Sequence, residues 1–139
     1  MDESTSPTDV FLRLVHGVSD QRWDDLPGLY AESTNVRHPM SPTDRSPMTS
    51  RAELARHFGS AGVRNAGPLR FQPSNIVIHE TTDPEVIVAE FTYDAVSTAT
   101  GKLFSLPNVF VMRIRDGEIV ESRDYVDHHG LAQLVRGDA

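Results

Sequence analysis

The hydrophobic period of this chain changes once, near residue 65, and that change limits the fold more than any other feature. Before it, apolar residues recur three and four positions apart, the spacing of amphipathic helices. After it they alternate, as strands do when one face is buried. Helices followed by a run of strands point to an α+β domain with an antiparallel sheet. A length of 139 residues suits one domain over 1–139, with its core at about 7–135. No repeat, low-complexity tract or linker divides it.

The order of elements follows from local chemistry. Ser6-Pro7 is an N-cap followed by a proline that tolerates the first helical position, and Val10, Phe11, Leu14, Val15 and Val18 form one helical face. A second short helix carries Trp23, Leu26, Leu29 and Tyr30 and starts near Asp24, since Pro27 fits only its first turn. Thr34–His38 reads as a short strand and Pro39–Met48 as a proline-rich loop. Ser50-Arg51-Ala52-Glu53 spells a capping box ahead of Leu54, Phe58 and Ala61, and Gly59 and Gly62 end that helix early. Four strands follow, over 69–80, 85–97, 102–114 and 118–126. Pro73 marks a bulge or edge in the first, and Asp116-Gly117 makes a hairpin turn before the last. A short helix over 128–135 closes the chain.

Composition excludes several classes of function. Thirteen basic and 20 acidic residues give a net charge of −7, which repels nucleic acid and anionic membranes. No stretch approaches the ~20 apolar residues of a membrane span, and Met1–Pro7 does not read as a signal peptide. The chain has no cysteine, hence no disulfide framework, thiolate nucleophile or cysteine-held metal. These features fit a cytoplasmic protein.

Asn108 interrupts the apolar row Leu106, Phe110, Met112. Such an amide either satisfies a local hydrogen bond or donates to a ligand oxygen. Arg123–His129 packs Asp124, Tyr125, Asp127, His128 and His129 into seven positions. Alternation puts Arg123, Tyr125 and Asp127 on one face, with Asp124 and Val126 on the other. An aspartate beside an apolar pocket becomes a general acid or base near neutral pH. Equally, Asp127 precedes the terminal helix and could be its N-cap, and Asp124 could pair with a surface arginine. His38, at a strand end before Pro39, is an interior acid/base or a solvated group. His16, His57 and His79 read as structural or exposed. Adjacent histidines point apart and no His-x-x-x-His spacing occurs, so no metal site is expected.

Taken in order, Trp23–Leu26, Leu29–Ala31, Val36–Pro39, Ser50–Glu53, Thr100-Gly101, Asp116–Ile119 and Arg123–Asp127 resemble the nuclear-transport-factor-2-like superfamily. Within it they resemble the SnoaL-like polyketide cyclase and ketosteroid-isomerase-like branch, over about residues 10–134. The resemblance implies a cone-shaped α+β barrel in which a curved antiparallel sheet wraps three helices around a deep apolar pocket. It implies chemistry without a cofactor, a hydrophobic small-molecule ligand and a homodimer. The general-base position of ketosteroid isomerases falls on His38, their oxyanion tyrosine on Leu14, and their oxyanion aspartic acid near Asn108. The cyclase aspartate, which follows a strand like Gly117–Glu121, falls on Asp127. The Arg-x-Asp pair of limonene-epoxide-hydrolase-like members falls near Thr92 and Asp94, without its arginine.

These readings converge on a cyclase, isomerase or dehydratase. In it Asp127, with Asp124 second, takes a proton from carbon, Asn108 donates to the developing oxyanion and His38 relays the proton. Trp23, Tyr30, Phe58, Phe110, Met112 and Tyr125 shape the pocket. The competing reading is a non-catalytic ligand-binding or dimerisation module, its outer face supplied by Ile87, Ala89, Phe91, Tyr93 and Ala95.

Overall fold

The computed structural model describes residues 5–60 and 69–136. Helix α1 spans Pro7–Ser19, with the Ser6 hydroxyl accepting from the Asp9 N–H at its start. The helix expected near Asp24 is instead two 3-10 turns, Trp23–Asp25 and Pro27–Leu29. Pro27 is the reason: it lacks an N–H and its ring clashes with a preceding helical turn, so an α-helix cannot run through it. Tyr30 consequently opens strand β1, Tyr30–Arg37, rather than ending a helix, and His38 stands just past the strand's end.

Met48, expected in a loop, begins a three-residue strand β2, Met48–Ser50, which leads into α2, Arg51–Phe58. The Ser50 side chain caps α2 by accepting from the Glu53 N–H. The reciprocal half of the capping box is absent, because the Glu53 carboxylate accepts from the Thr49 hydroxyl at 3.0 Å. Ala61 and Gly62 lie outside the described residues. Strands β3 (Leu69–Glu80), β4 (Val86–Ser97), β5 (Leu103–Arg115) and β6 (Glu118–Val126) follow, then helix α3 (His128–Arg136). Asp116 and Gly117 both take positive φ, 53° and 80°, as a tight hairpin turn between β5 and β6 requires.

The six strands form one sheet in the order β2-β1-β6-β5-β4-β3. It is not wholly antiparallel, since β1 runs parallel to β6. No hairpin joins those two strands, so connectivity does not impose opposite directions. The sheet is curved and unclosed. Register breaks in β1 between Ser33 and Val36 and in β3 between Ser74 and Val77 add to its twist.

The core lies on the concave face. Ile87, Ala89, Phe91 and Ala95 are buried there, and Tyr93 packs against the same core. The alternative in which that row forms an exposed assembly face is therefore overturned. Helix α1 crosses this face and inserts Phe11 edge-on between Phe91 and Phe110, with ring centroids 5.3 and 6.3 Å away. The turn at Leu26 closes against α1 where Gly17 leaves room; a Cβ there would come within 2.5 Å of a Leu26 methyl.

Removing the Phe11 ring leaves a void that a close-packed core cannot refill. Phe11→Ala should cost about 3–5 kcal/mol in denaturant unfolding, against about 1 kcal/mol for loss of the α2 cap in Ser50→Ala. Equal costs would show that Phe11 is not what fixes helix to sheet.

Candidate active site

Between the concave sheet and the helices lies a cavity of about 280 Å³. Its walls are chiefly apolar, built from Leu14 and Val18 of α1, Trp23, Phe58 of α2, and Phe71 and Phe110 of the sheet. Into this lining project His38, His57, Asn108 and Asp124, with Tyr30 and Tyr93 close by.

Strand alternation puts Asp124 there. Ser122 and Asp124 point inward from β6, while Glu121 and Arg123 point to solvent. Asp124 sits in register with Phe110 of β5, two residues along from Asn108 opposite Val126. The Asp124 carboxyl accepts a short hydrogen bond from the Ser122 hydroxyl. Its other oxygen lies 3.7 Å from Nε2 of His38. Burial among apolar groups pushes Asp124 up to about 7, and the Ser122 hydrogen bond only partly offsets it. The acid thus titrates near neutrality, where a carboxyl can both give and take a proton. Burial, reinforced by the Asp124 charge, holds Tyr30 and Tyr93 above the ordinary phenol range, so both keep their O–H.

The His38 ring lies between two others. Its centroid is 6.2 Å from that of His57 on α2 and 6.0 Å from that of His128 at the start of α3. Burial lowers the pKa of all three imidazoles, and proximity to His38 lowers His57 and His128 further. Among the described residues, no three His, Asp or Glu side chains are arranged to hold a metal ion.

The structure gathers Asp124, His38 and Asn108, together with Trp23, Tyr30, Phe58 and Phe110, at one cavity. It does not bring Asp127 into the lining. That carboxylate accepts from the Gly130 N–H at 2.9 Å and caps α3, because the strand ends at Val126 and the next residue is free to turn. Its fit is close, as a Cβ on Gly130 would fall 2.5 Å from the other oxygen of the same carboxylate. Tyr125 is also outside the lining, since it alternates with Asp124 to the outer face. Met112 is fully buried in the core behind the cavity and does not line it. Asn108 makes the local hydrogen bond, one amide N–H donating to the Leu106 carbonyl at 2.9 Å, and its side chain also lines the cavity. His57, read from sequence as structural or exposed, is a lining residue. Its signal was available, since it follows Leu54 by three residues, a spacing that places the two on one helical face.

A SnoaL-like domain model matches residues 11–122. An uncharacterised PhzA/B-like protein of Pseudomonas aeruginosa is 35% identical over 52 residues, which is 37% of each chain. Among solved structures, a candidate isomerase from Bacillus subtilis superposes with a TM-score of 0.79 at 17% identity, covering 100% of this chain and 98% of that one. A candidate polyketide cyclase from Pseudomonas putida gives 0.70 at 17% identity over 96% and 98% of the two chains. A Catenulispora acidiphila protein with a ketosteroid isomerase-like fold, in complex with trimethylamine, gives 0.69 at 14% identity over 94% and 93%. At these identities the likeness is one of fold.

The raised Asp124 carries a definite pH signature. Below the ordinary carboxyl range both folded and unfolded chains hold its proton, and it costs nothing. As pH rises from about 4 to 7 the unfolded chain ionises while the folded one does not, so stability falls across that window. The full penalty, on the order of 4 kcal/mol, applies above pH 7. Asp124→Asn should therefore unfold at nearly the parent's temperature at pH 4 and gain on it steadily up to pH 8. A difference that does not change with pH would contradict the buried acid.

Proposed function

The chain belongs to the SnoaL-like family, and from that premise we propose that it is an enzyme moving protons, without a cofactor, on a hydrophobic carbonyl-bearing small molecule. The observation that carries this reading is Asp124: a buried carboxyl, raised to about 7, facing an apolar cavity beside an imidazole. Structural groups gain nothing from such an environment, whereas an acid/base catalyst needs a proton affinity near the working pH.

In the proposed reaction Asp124 takes a proton from the carbon next to the carbonyl, and the C–H electrons pass into an enolate. Asn108 has its second amide N–H left for the developing oxyanion. His38, 3.7 Å from the Asp124 carboxyl, takes part in moving the proton onward. The aromatic walls hold the carbon skeleton by burial, at about 25 cal/mol per Å² removed from water. Isomerisation, cyclisation and dehydration all start from that enolate. Compared with the sequence reading, the base is Asp124, and Asp127 keeps the capping role.

The test is a screen of aromatic and unconjugated cyclic ketones by absorbance, followed by two variants on any compound that reacts. Asp124→Asn should lower turnover by about 10²–10⁴-fold, while Asp127→Asn, which keeps a side-chain oxygen able to cap α3, should leave turnover and thermal stability nearly unchanged. Equal losses in both variants would return the catalytic role to Asp127 or remove it from both. Ketones that bind without reacting would favour the ligand-binding module.

A further inference from the structure

If Asp124 takes a proton from a ligand, that proton either returns to the ligand or leaves, and among the described residues one neighbouring group is placed to carry it away. On β6 its neighbour Ser122 is 1% exposed and already donates to it. Tyr30 and Tyr93 hold their protons too tightly to pass one on near neutral pH. Asp127 on α3 faces its own helix N-terminus and lies outside the cavity lining. His38 remains, and exposure rises along this line, from 9% for the Asp124 side chain to 26% for the imidazole. Beyond His38 stand the two further half-buried imidazoles, His57 on α2 and His128 on α3. Ring centroids about 6 Å apart leave space for one bridging water. Nε2 of His128 is moreover buried with no hydrogen-bond partner among the described residues, as expected of an atom meant for such a bridge.

We propose that His38, His57 and His128 form a proton exit joining Asp124 to solvent, so that a proton taken from a ligand carbon is exchanged with water rather than handed back. The inference rests on Asp124 acting as the base. The balance is simple: the ligand C–H bond breaks, the proton reaches the Asp124 carboxylate and then Nε2 of His38. The other nitrogen of that ring releases a proton through His57 or His128 to water. A solvent proton later returns by the same route. Three imidazoles so close to one another share little positive charge, which keeps a basic nitrogen free to receive the proton. His57 and His128 are positioning and relay residues here and need not touch the ligand.

The test is isomerisation of 3-cyclohexenone by the full chain in D₂O, with mass spectrometry of the conjugated product. Deuterium per molecule of product is the readout, because it does not depend on how fast product forms. The unmodified chain should incorporate solvent deuterium, and the double variant His57→Gln, His128→Asn should incorporate at least about threefold less. Equal deuterium content in the two proteins overturns the exit and leaves Asp124 as the base. Conversion that survives Asp124→Asn overturns the base, and the exit with it. If this probe is not turned over, NMR titration of His57 decides. Replacing His38 by Gln should raise the His57 midpoint, because the His38 ring beside it is one cause of its lowering, and an unmoved midpoint overturns the exit.

Discussion

The Phe11 ring, held edge-on against Phe91 and Phe110, fixes α1 across the concave sheet, and the rest of the interior is arranged around that contact. Phe91 is also edge-on to Phe110 and to Tyr93, each at 5.0 Å, and Tyr93 is edge-on to Phe71 at 6.0 Å. This chain of aromatic contacts leads from the packed core into the cavity wall. At one end the concavity is filled by side chains of α1. At the other, Leu14 and Val18 of α1, Trp23 of the first turn and Phe58 of α2 face the sheet across the cavity.

Placing Asp124 in that cavity sets its chemistry. Taking a carboxylate out of water is costly, and the Ser122 hydroxyl compensates only in part. The result is an acid held near neutrality at some expense in stability. The surface charges behave differently. Arg113 and Arg115 bond Asp83 and Glu85 around the turn before β4, at 2.8 to 3.1 Å. Those groups meet solvent, where such pairs contribute little. They order a turn, whereas the buried Asp124 carboxyl gives the site its proton affinity.

Much of the fold was legible because short-range rules governed it. Ser6-Pro7 and Ser50 start helices where a side-chain oxygen can take an orphan N–H. Asp116-Gly117 turns the chain where positive φ is needed twice. The alternation in β3 to β6 gave those strands to within a residue at each end. The failures came where non-local contacts prevailed. Met48–Ser50 is a strand because β1 lies beside it, and nothing in Met-Thr-Ser announces that partner. The parallel pairing of β1 with β6 depends on how far the chain travels between them.

For the site, alternation alone put Asp124 and Asp127 on opposite faces and brought Asp124 together with Val126. The identity of the inward face, however, was not written in that segment. The sheet's curvature decided it, by turning Phe110 and Asp124 of adjacent strands toward the same space. Likewise His38, His57 and His128 are 19 and 71 residues apart along the chain (57 − 38 and 128 − 57). No local spacing could reveal their common neighbourhood. The sequence by itself determined most of the helices and strands, the turns and the candidate acids, since these depend on neighbours within a few residues. Only the tertiary structure decided which carboxyl is buried and which histidines meet it, because burial and proton affinity depend on surfaces that distant segments supply.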